Sequence, residues 1–316
     1  MFCAQTRKTL AAFAVVAGLA AAGLAEDLYV AGNSGQIWRL DTDTGTLNNP
    51  VSFGGGTVEG LVLQGRDVLA ASSDGNVYRV DLDTGITESS FGAWGNPLSM
   101  TRWGNTLYLT TDGGEVQWLD AEDGTLIDTY YLHDVQQASV LFGGTIYTGS
   151  WSTFVYKSPI GGMNFEFFTV CGGSVNSMAT DGVDLLIGSR EGTIYVFDAT
   201  LGTYKVTYPV ASDCVGLEYA DGSLFIAGSD GLIHRMNLST GEIERVYDTG
   251  LTITAMAGPD ACAADFNGDG EISTLDFLAF LNAWAAMDSS ADMDGNGTVN
   301  TQDVLVFLNA FTAGCE

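Results

Sequence analysis

From Leu28 onward apolar and polar residues alternate in short runs, a period of two that predicts strands rather than helices. Runs such as LYVAG (28–32) and VYRVD (77–81) are β-branched and aromatic, and short Gly-containing turns join them into hairpins. The pattern repeats: SGQIWRLDTDTG (34–45), DGNVYRVDLDTG (74–85), GGEVQWLDAEDG (113–124), a worn copy WSTFVYKSPIGG (151–162), EGTIYVFDATLG (191–202) and DGLIHRMNLSTG (230–241). Their final glycines are spaced by 40, 39, 38, 40 and 39 residues, so six units cover the chain from 27 to 258. Within the Asp-x-x-Thr-Gly turn the Asp side chain can hold backbone N–H groups while Gly takes the left-handed conformation. Asp41, Asp81, Asp120 and Asp198 therefore read as structural.

One more strand precedes each hairpin pair. Alignment on small residues gives the column Gly60, Ser99, Ser139, Ser177, Gly216 and Ala255, followed by Leu61, Met100, Val140, Met178, Leu217 and Met256. Small side chains suit innermost strands crowded round an axis, with the following residue packed between neighbouring sheets. The fold class expected is therefore all-β, a six-bladed β-propeller over residues 26–258, with a small helical module over 259–316. The first unit lacks an innermost strand, whereas residues 251–257 form one without a unit of its own, so the C-terminal strand is expected to close the ring and remove a free edge. The repeats resemble those of quinoprotein-like propellers, whose strands read close to DGxVYAxDxxTG, and the wider WD40 and YVTN-type group. That resemblance implies fold. The eight blades, vicinal disulfide and Trp after Thr-Gly of quinoprotein enzymes are missing from this sequence.

Residues 1–25 place Arg7 and Lys8 before an apolar run from Leu10 to Ala22 and a small-residue exit at Gly23-Leu24-Ala25. This is the pattern of a signal peptide, too short in its apolar part to span a bilayer. A secreted, extracellular or surface-attached protein follows, with no transmembrane segment after signal removal. Export permits disulfides, and the expected pairs are Cys171 with Cys214 and Cys262 with Cys315, each bracketing one region; free buried thiols are the alternative. The formal net charge of −28, with 11 Lys and Arg in 316 residues, excludes nucleic acid as a main partner. His133 and His234 are the two histidines, too few for a zinc cluster. His234 stands where other units have Tyr and reads as a packed strand residue.

Beyond Pro259 the composition changes: residues 262–316 hold nine acidic side chains and no Lys or Arg. DFNGDGEISTLD (265–276) and DMDGNGTVNTQD (292–303) each put oxygen-bearing residues at positions 1, 3, 5, 9 and 12 with Gly at 6, the spacing that wraps a loop round calcium. The first loop offers Asp265, Asn267, Asp269, the Glu271 carbonyl, Ser273 and Asp276; the second offers Asp292, Asp294, Asn296, Thr298, Asn300 and Asp303. Two calcium ions are expected, because three carboxylates converging in each loop repel one another without a cation. Behind each loop runs an amphipathic helix, with Phe277, Phe280, Leu281 and Trp284 repeated 27 residues later by Val304, Phe307, Leu308 and Phe311.

Loop plus exiting helix, twice, with Asp at position 12, resembles a type I dockerin. The pair FLNAW (280–284) and FLNAF (307–311), with Gly314-Cys315, is similar in particular to the GC-type dockerin domain of bacterial secreted proteins. The resemblance implies a cohesin-like partner or surface scaffold, recognised through loop positions 10 and 11, here Thr274, Leu275, Thr301 and Gln302. Leu275 and the absence of Lys or Arg from both helices depart from the family's pattern.

In the propeller, Trp94, Tyr131, His133, Trp151 and Arg190 fall in connections and turns that emerge on one rim, where they offer stacking faces to a glycan or a peptide. The closing strand runs away from that rim, so the tail is expected on the opposite face. No catalytic set is recognisable: the GxSxG, Walker-type and Rossmann glycine patterns are missing. Together these readings give a secreted, non-catalytic propeller scaffold anchored by a calcium-dependent dockerin-cohesin-type contact. The alternative is a propeller enzyme or accessory protein of polysaccharide degradation, its paired carboxylates hidden among the acidic residues.

Overall fold

Val30 pairs with Trp38 on one side and with Met256 on the other, so the strand Ile253–Ala257 lies innermost in a sheet whose other strands are Asp27–Gly32, Gln36–Asp41 and Thr46–Ser52. The C-terminal strand thus closes the ring, as the register of the repeats requires. In this computed structural model the described residues are 27–64, 67–103, 105–142, 144–162, 164–210, 212–220, 222–258, 264, 266, 272–287, 291, 293 and 298–313. Their 24 strands form six four-stranded antiparallel sheets. The other five sheets have Val58–Gln64, Pro97–Trp103, Gln136–Phe142, Val175–Thr180 and Gly216–Ala220 as innermost strands. The expected signal segment, 1–25, lies outside the described residues.

Each pair of neighbouring blades encloses one apolar core, six in all. Leu61, Met100, Met178, Leu217 and Met256 each enter a different one. The small residues permit the close approach: a Cβ on Gly60 would meet the Met100 backbone nitrogen at 3.2 Å. In blade four the expected column is one residue off. Ala138 pairs with Gly149 as Gly60 pairs with Ala71, so Ala138, not Ser139, is the small residue. Ser139 takes the place of the packed apolar residue, and its hydroxyl meets that of Ser99 at 3.1 Å.

The same shift relocates Trp151. Ser150 pairs with the innermost strand as Ser72 and Ser189 do, which puts Trp151 level with Ser73 and Arg190, and Ser152 in the place of Asp74. Thr153 then falls where the other turns carry glycine. Its φ of 76° matches the 86° of Gly75, a left-handed conformation that costs a β-branched residue about 1 to 3 kcal/mol.

The repeated Asp-x-x-Thr-Gly turns behave as their chemistry dictates. Asp41 Oδ1 accepts from the Thr44 N–H at 2.7 Å and Asp198 Oδ1 from Leu201 at 2.8 Å, while Gly45 sits at φ 78°. Blade four substitutes Ser158, whose Oγ donates to the Gly162 carbonyl at 2.7 Å. His234 is buried in its strand, opposite Ile226 and Val246.

The expected bridge between Cys171 and Cys214 is not formed; both are free, buried thiols. Cys171 belongs to the core between blades four and five, and Cys214 to the core between five and six, so blade five separates them. Burial pushes the Cys171 thiol up to about 11 and the Cys214 thiol up to about 12. Both should therefore resist a thiol reagent at neutral pH and react once denaturant exposes them. Non-reducing peptide mapping that recovers them linked would contradict this arrangement. Cys262 and Cys315 lie outside the described residues.

Two helices follow, α1 (Thr274–Ala285) and α2 (Thr301–Ala313). Phe280 and Phe307, both fully buried, stack face to face at 4.2 Å with planes 6° apart. Phe277, Leu281, Trp284, Val304 and Phe311 pack round them, so the two apolar stripes meet as their 27-residue offset implies. Trp103, at the far end of its strand from the rim that carries Trp94, packs against this core too.

Candidate calcium loops, docking face and propeller rim

The described ends of the two loops have one geometry. Asp276 Oδ2 accepts from the Ser273 N–H at 2.7 Å, and Asp303 Oδ2 accepts from the Asn300 N–H at 2.7 Å. In return Ser273 Oγ accepts from the Leu275 N–H at 3.1 Å, and Asn300 Oδ1 from the Gln302 N–H at 2.7 Å. Loop position 9 is thus the helix N-cap and position 12 the third helical residue, a reciprocal box that fixes each terminal carboxylate.

Asp276 and Asp303 are both 0% exposed. A buried carboxylate is costly unless a positive group meets it, and no cationic side chain occurs between residues 262 and 316. The pair therefore fits a divalent cation, with hard oxygen donors and no nitrogen or sulfur. Thr298, at position 7, is exposed; Asp265, Asn267, Asp269, Glu271, Asp292, Asp294 and Asn296 lie outside the described residues. A further bond was not legible in the sequence: Trp284 Nε1–H donates to the Asn300 carbonyl at 2.7 Å, tying α1 to the second loop.

Thr274, Leu275, Thr301 and Gln302 are all exposed, at the N-terminal ends of the two helices. The structure adds Leu278 and Leu305, each 54% exposed and 27 residues apart. Both lie off the apolar stripes that form the core, whose members include Phe277, Phe280, Leu281, Trp284, Val304, Phe307 and Phe311.

On the rim, Arg190 and Trp151 are brought together, the guanidinium carbon 4.6 Å from the ring centroid. Trp94 is 67% exposed, yet its backbone is gripped by buried Gln117: Gln117 Oε1 accepts from the Trp94 N–H at 3.2 Å and its amide donates to the Trp94 carbonyl. Tyr131, 65% exposed, bonds through its hydroxyl to Glu115, and His133 is exposed in the next connection. The five residues share a rim, with one direct contact among them. Gln117 was missed because a buried strand glutamine carries no motif.

These features define a six-bladed β-propeller followed by a paired loop–helix module. Residues 263–311 match the Dockerin type I domain, and residues 5–140 match the family described as outer membrane protein assembly factor BamB. The chain therefore carries a type I dockerin domain behind a PQQ-like propeller. Type I dockerin domains bind calcium and assemble with cohesin partners, and proteins that carry them are typically extracellular or assembled at the cell surface.

Two solved structures share the fold. The computationally designed Ika8 protein is 17% identical, with a TM-score of 0.52, covering 74% of this chain and 75% of its own. A chain of the nidogen/laminin complex is 14% identical, with a TM-score of 0.62, covering 73% of this chain and 97% of its own. No match is found among curated proteins. No helix among the described residues is long and apolar enough to cross a membrane.

Proposed function

We propose that this is a secreted, non-catalytic binding or display scaffold: a signal segment at 1–25, a propeller at 26–258 that carries the ligand surface, and a module at 259–316 that docks it to a cohesin-like partner or surface scaffold. Two calcium ions, one per loop, would be held by the residues at positions 1, 3, 5, 7, 9 and 12, from Asp265 to Asp276 and from Asp292 to Asp303. The observation that carries this reading is the duplicated pair of buried carboxylates, Asp276 and Asp303, in a segment without a cationic side chain. What calcium supplies is charge neutralisation at those oxygens; what the chain supplies is their fixed position, through the Ser273 and Asn300 N–H groups.

Thr274, Leu275, Thr301 and Gln302, flanked by Leu278 and Leu305, form the proposed docking face. Apolar residues ringed by hydroxyl and amide groups suit an interface that excludes water at its centre. Immobilised full-length protein should retain a type I cohesin module in millimolar calcium and release it in chelator. Leu275→Asp with Leu305→Asp should weaken retention at least about a hundredfold, the effect of losing two interface anchors, without shifting the thermal midpoint of the propeller. Retention that ignores chelator and both substitutions would overturn docking. Release of sugar from a polysaccharide panel would instead overturn the non-catalytic assignment.

A further inference from the structure

Eight Lys and Arg side chains fall among the described residues of the propeller, and seven of them meet an oxygen. Arg79 reaches Asp67 and the Ala121 carbonyl, Arg102 the Leu63 carbonyl, and Arg245 the carbonyls of Thr42 and Asp43. Arg190 is the eighth. Its contact is the face of Trp151, and both side chains are exposed. Among the described cations of the propeller, Arg190 is thus set apart by a side-chain contact with a ring rather than with an oxygen.

Register shows where this pair comes from. Trp151 and Arg190 occupy the same turn position on adjacent blades, a position filled by Ser73 and Ser229 elsewhere. The turn that carries Trp151 has given up its glycine for Thr153 in a left-handed conformation. Trp94, on the same rim, is exposed but held at both its backbone groups by Gln117. Two indoles are thus presented outward, and the guanidinium carbon of Arg190 lies over the ring of one of them.

We infer that Trp151 and Arg190 form a binding site for a carboxylate-bearing saccharide, a uronate unit within a glycan chain. This rests on the reading of the propeller rim as a ligand surface and is independent of calcium docking. A guanidinium placed over a ring still has N–H groups to offer an acceptor. A carboxylate presents two coplanar oxygens to those groups and takes two parallel hydrogen bonds. The C–H face of a pyranose ring suits an exposed aromatic surface, and Trp94 and Tyr131, on neighbouring connections of the rim, offer further faces to the next units of a repeating chain. A peptide could also meet those rings, but a free carboxylate occurs in it only at the C-terminus and on acidic side chains, whereas a uronate chain repeats one on every ring. The negative field of the protein repels anions generally, so the selected ligand is one whose carboxylate sits directly on Arg190.

The test is calorimetric titration of the full-length, calcium-loaded protein with trigalacturonate, with its methyl ester, and with a short peptide bearing a free C-terminal carboxylate. The acid should bind at least about tenfold more tightly than the ester, the scale of one lost charge-assisted hydrogen bond. Arg190→Ala should abolish that difference, Arg190→Lys should keep part of it, and Trp151→Ala should weaken acid and ester alike. Equal binding of acid and ester, no binding of the acid at millimolar concentration, indifference to Arg190→Ala, or preference for the peptide would each overturn the assignment. Binding of neutral sugars lost in Trp94→Ala but not in Arg190→Ala would reject the carboxylate site while leaving the rim as a ligand surface. Thermal midpoints of the variants, all at exposed turn positions, separate loss of binding from loss of fold.

Discussion

Stripping calcium from the full-length protein is expected to unfold the tail while the propeller keeps its strands. Stability in folded domains runs to about 0.05–0.15 kcal/mol per residue, which gives a module of this size only a few kcal/mol. An ion present at about a hundred times its dissociation constant contributes about 2.7 kcal/mol per site, so two ions match the whole. Asp276 and Asp303 are fully buried carboxylates, costly to hold beside the other acidic side chains of the loops, and the surrounding core of Phe280 and Phe307 is small. Scanning calorimetry should show two transitions, of which only the smaller moves on chelation. The indole of Trp284, bonded to the Asn300 carbonyl, should report the same event by a red shift in its emission. A tail that stays ordered in excess chelator, or takes up no heat when calcium is restored, would contradict the two-ion reading.

The second large effect is expected from cutting the chain ahead of the closing strand. Ending at residue 258 should leave a folded propeller; ending at residue 250 should abolish its cooperative transition. The eight extra residues removed include Ile253, Ala255, Met256 and Ala257, which belong to the cores on both sides of blade one. Loss of the large side chains Ile253 and Met256 alone costs about 2 to 5 kcal/mol each. The open edge of Asp27–Gly32 adds unpaired backbone groups, and the sum approaches the 5–15 kcal/mol that holds a domain together. Met256→Asp in the uncut chain should have an effect of the same sign without changing its length. Denaturant titrations followed by far-ultraviolet circular dichroism distinguish these cases, and an unchanged midpoint for the chain ending at 250 would refute closure.

Much of this architecture is legible in the sequence because it repeats. A period near 39 residues exposes blade number, strand order and ring closure, and the Asp-x-x-Thr-Gly turns carry their own chemistry, as the bonds of Asp41 and Asp198 show. The twin helices are equally clear, since apolar spacing and an offset of 27 specify which faces meet. Where the repeat is worn, legibility falls. Ala138 and Ser139 are both small, so alignment on size could not choose between them, and only strand pairing sets Ala138 in the column. Cysteine pairing failed for a different reason. Proximity in sequence placed Cys171 and Cys214 in one region, but a whole blade stands between their side chains. The Gln117 grip on Trp94 depends on contact between residues 23 apart in the chain, which no local pattern encodes.

Ring closure by the strand adjoining the docking module also has a mechanical meaning. When the tail is held by a partner and the opposite rim by a ligand, tension enters the propeller through Ala257 and runs along the axis of Ile253–Ala257. Its ladder to the first blade, Tyr29 with Ala257, Val30 with Met256, Ala31 with Ala255 and Gly32 with Ile253, is then loaded in shear. Every rung resists together, whereas a strand peeled from its end would unzip one rung at a time. The sheet assembled from both ends of the propeller is thereby set in the orientation that best withstands such a pull.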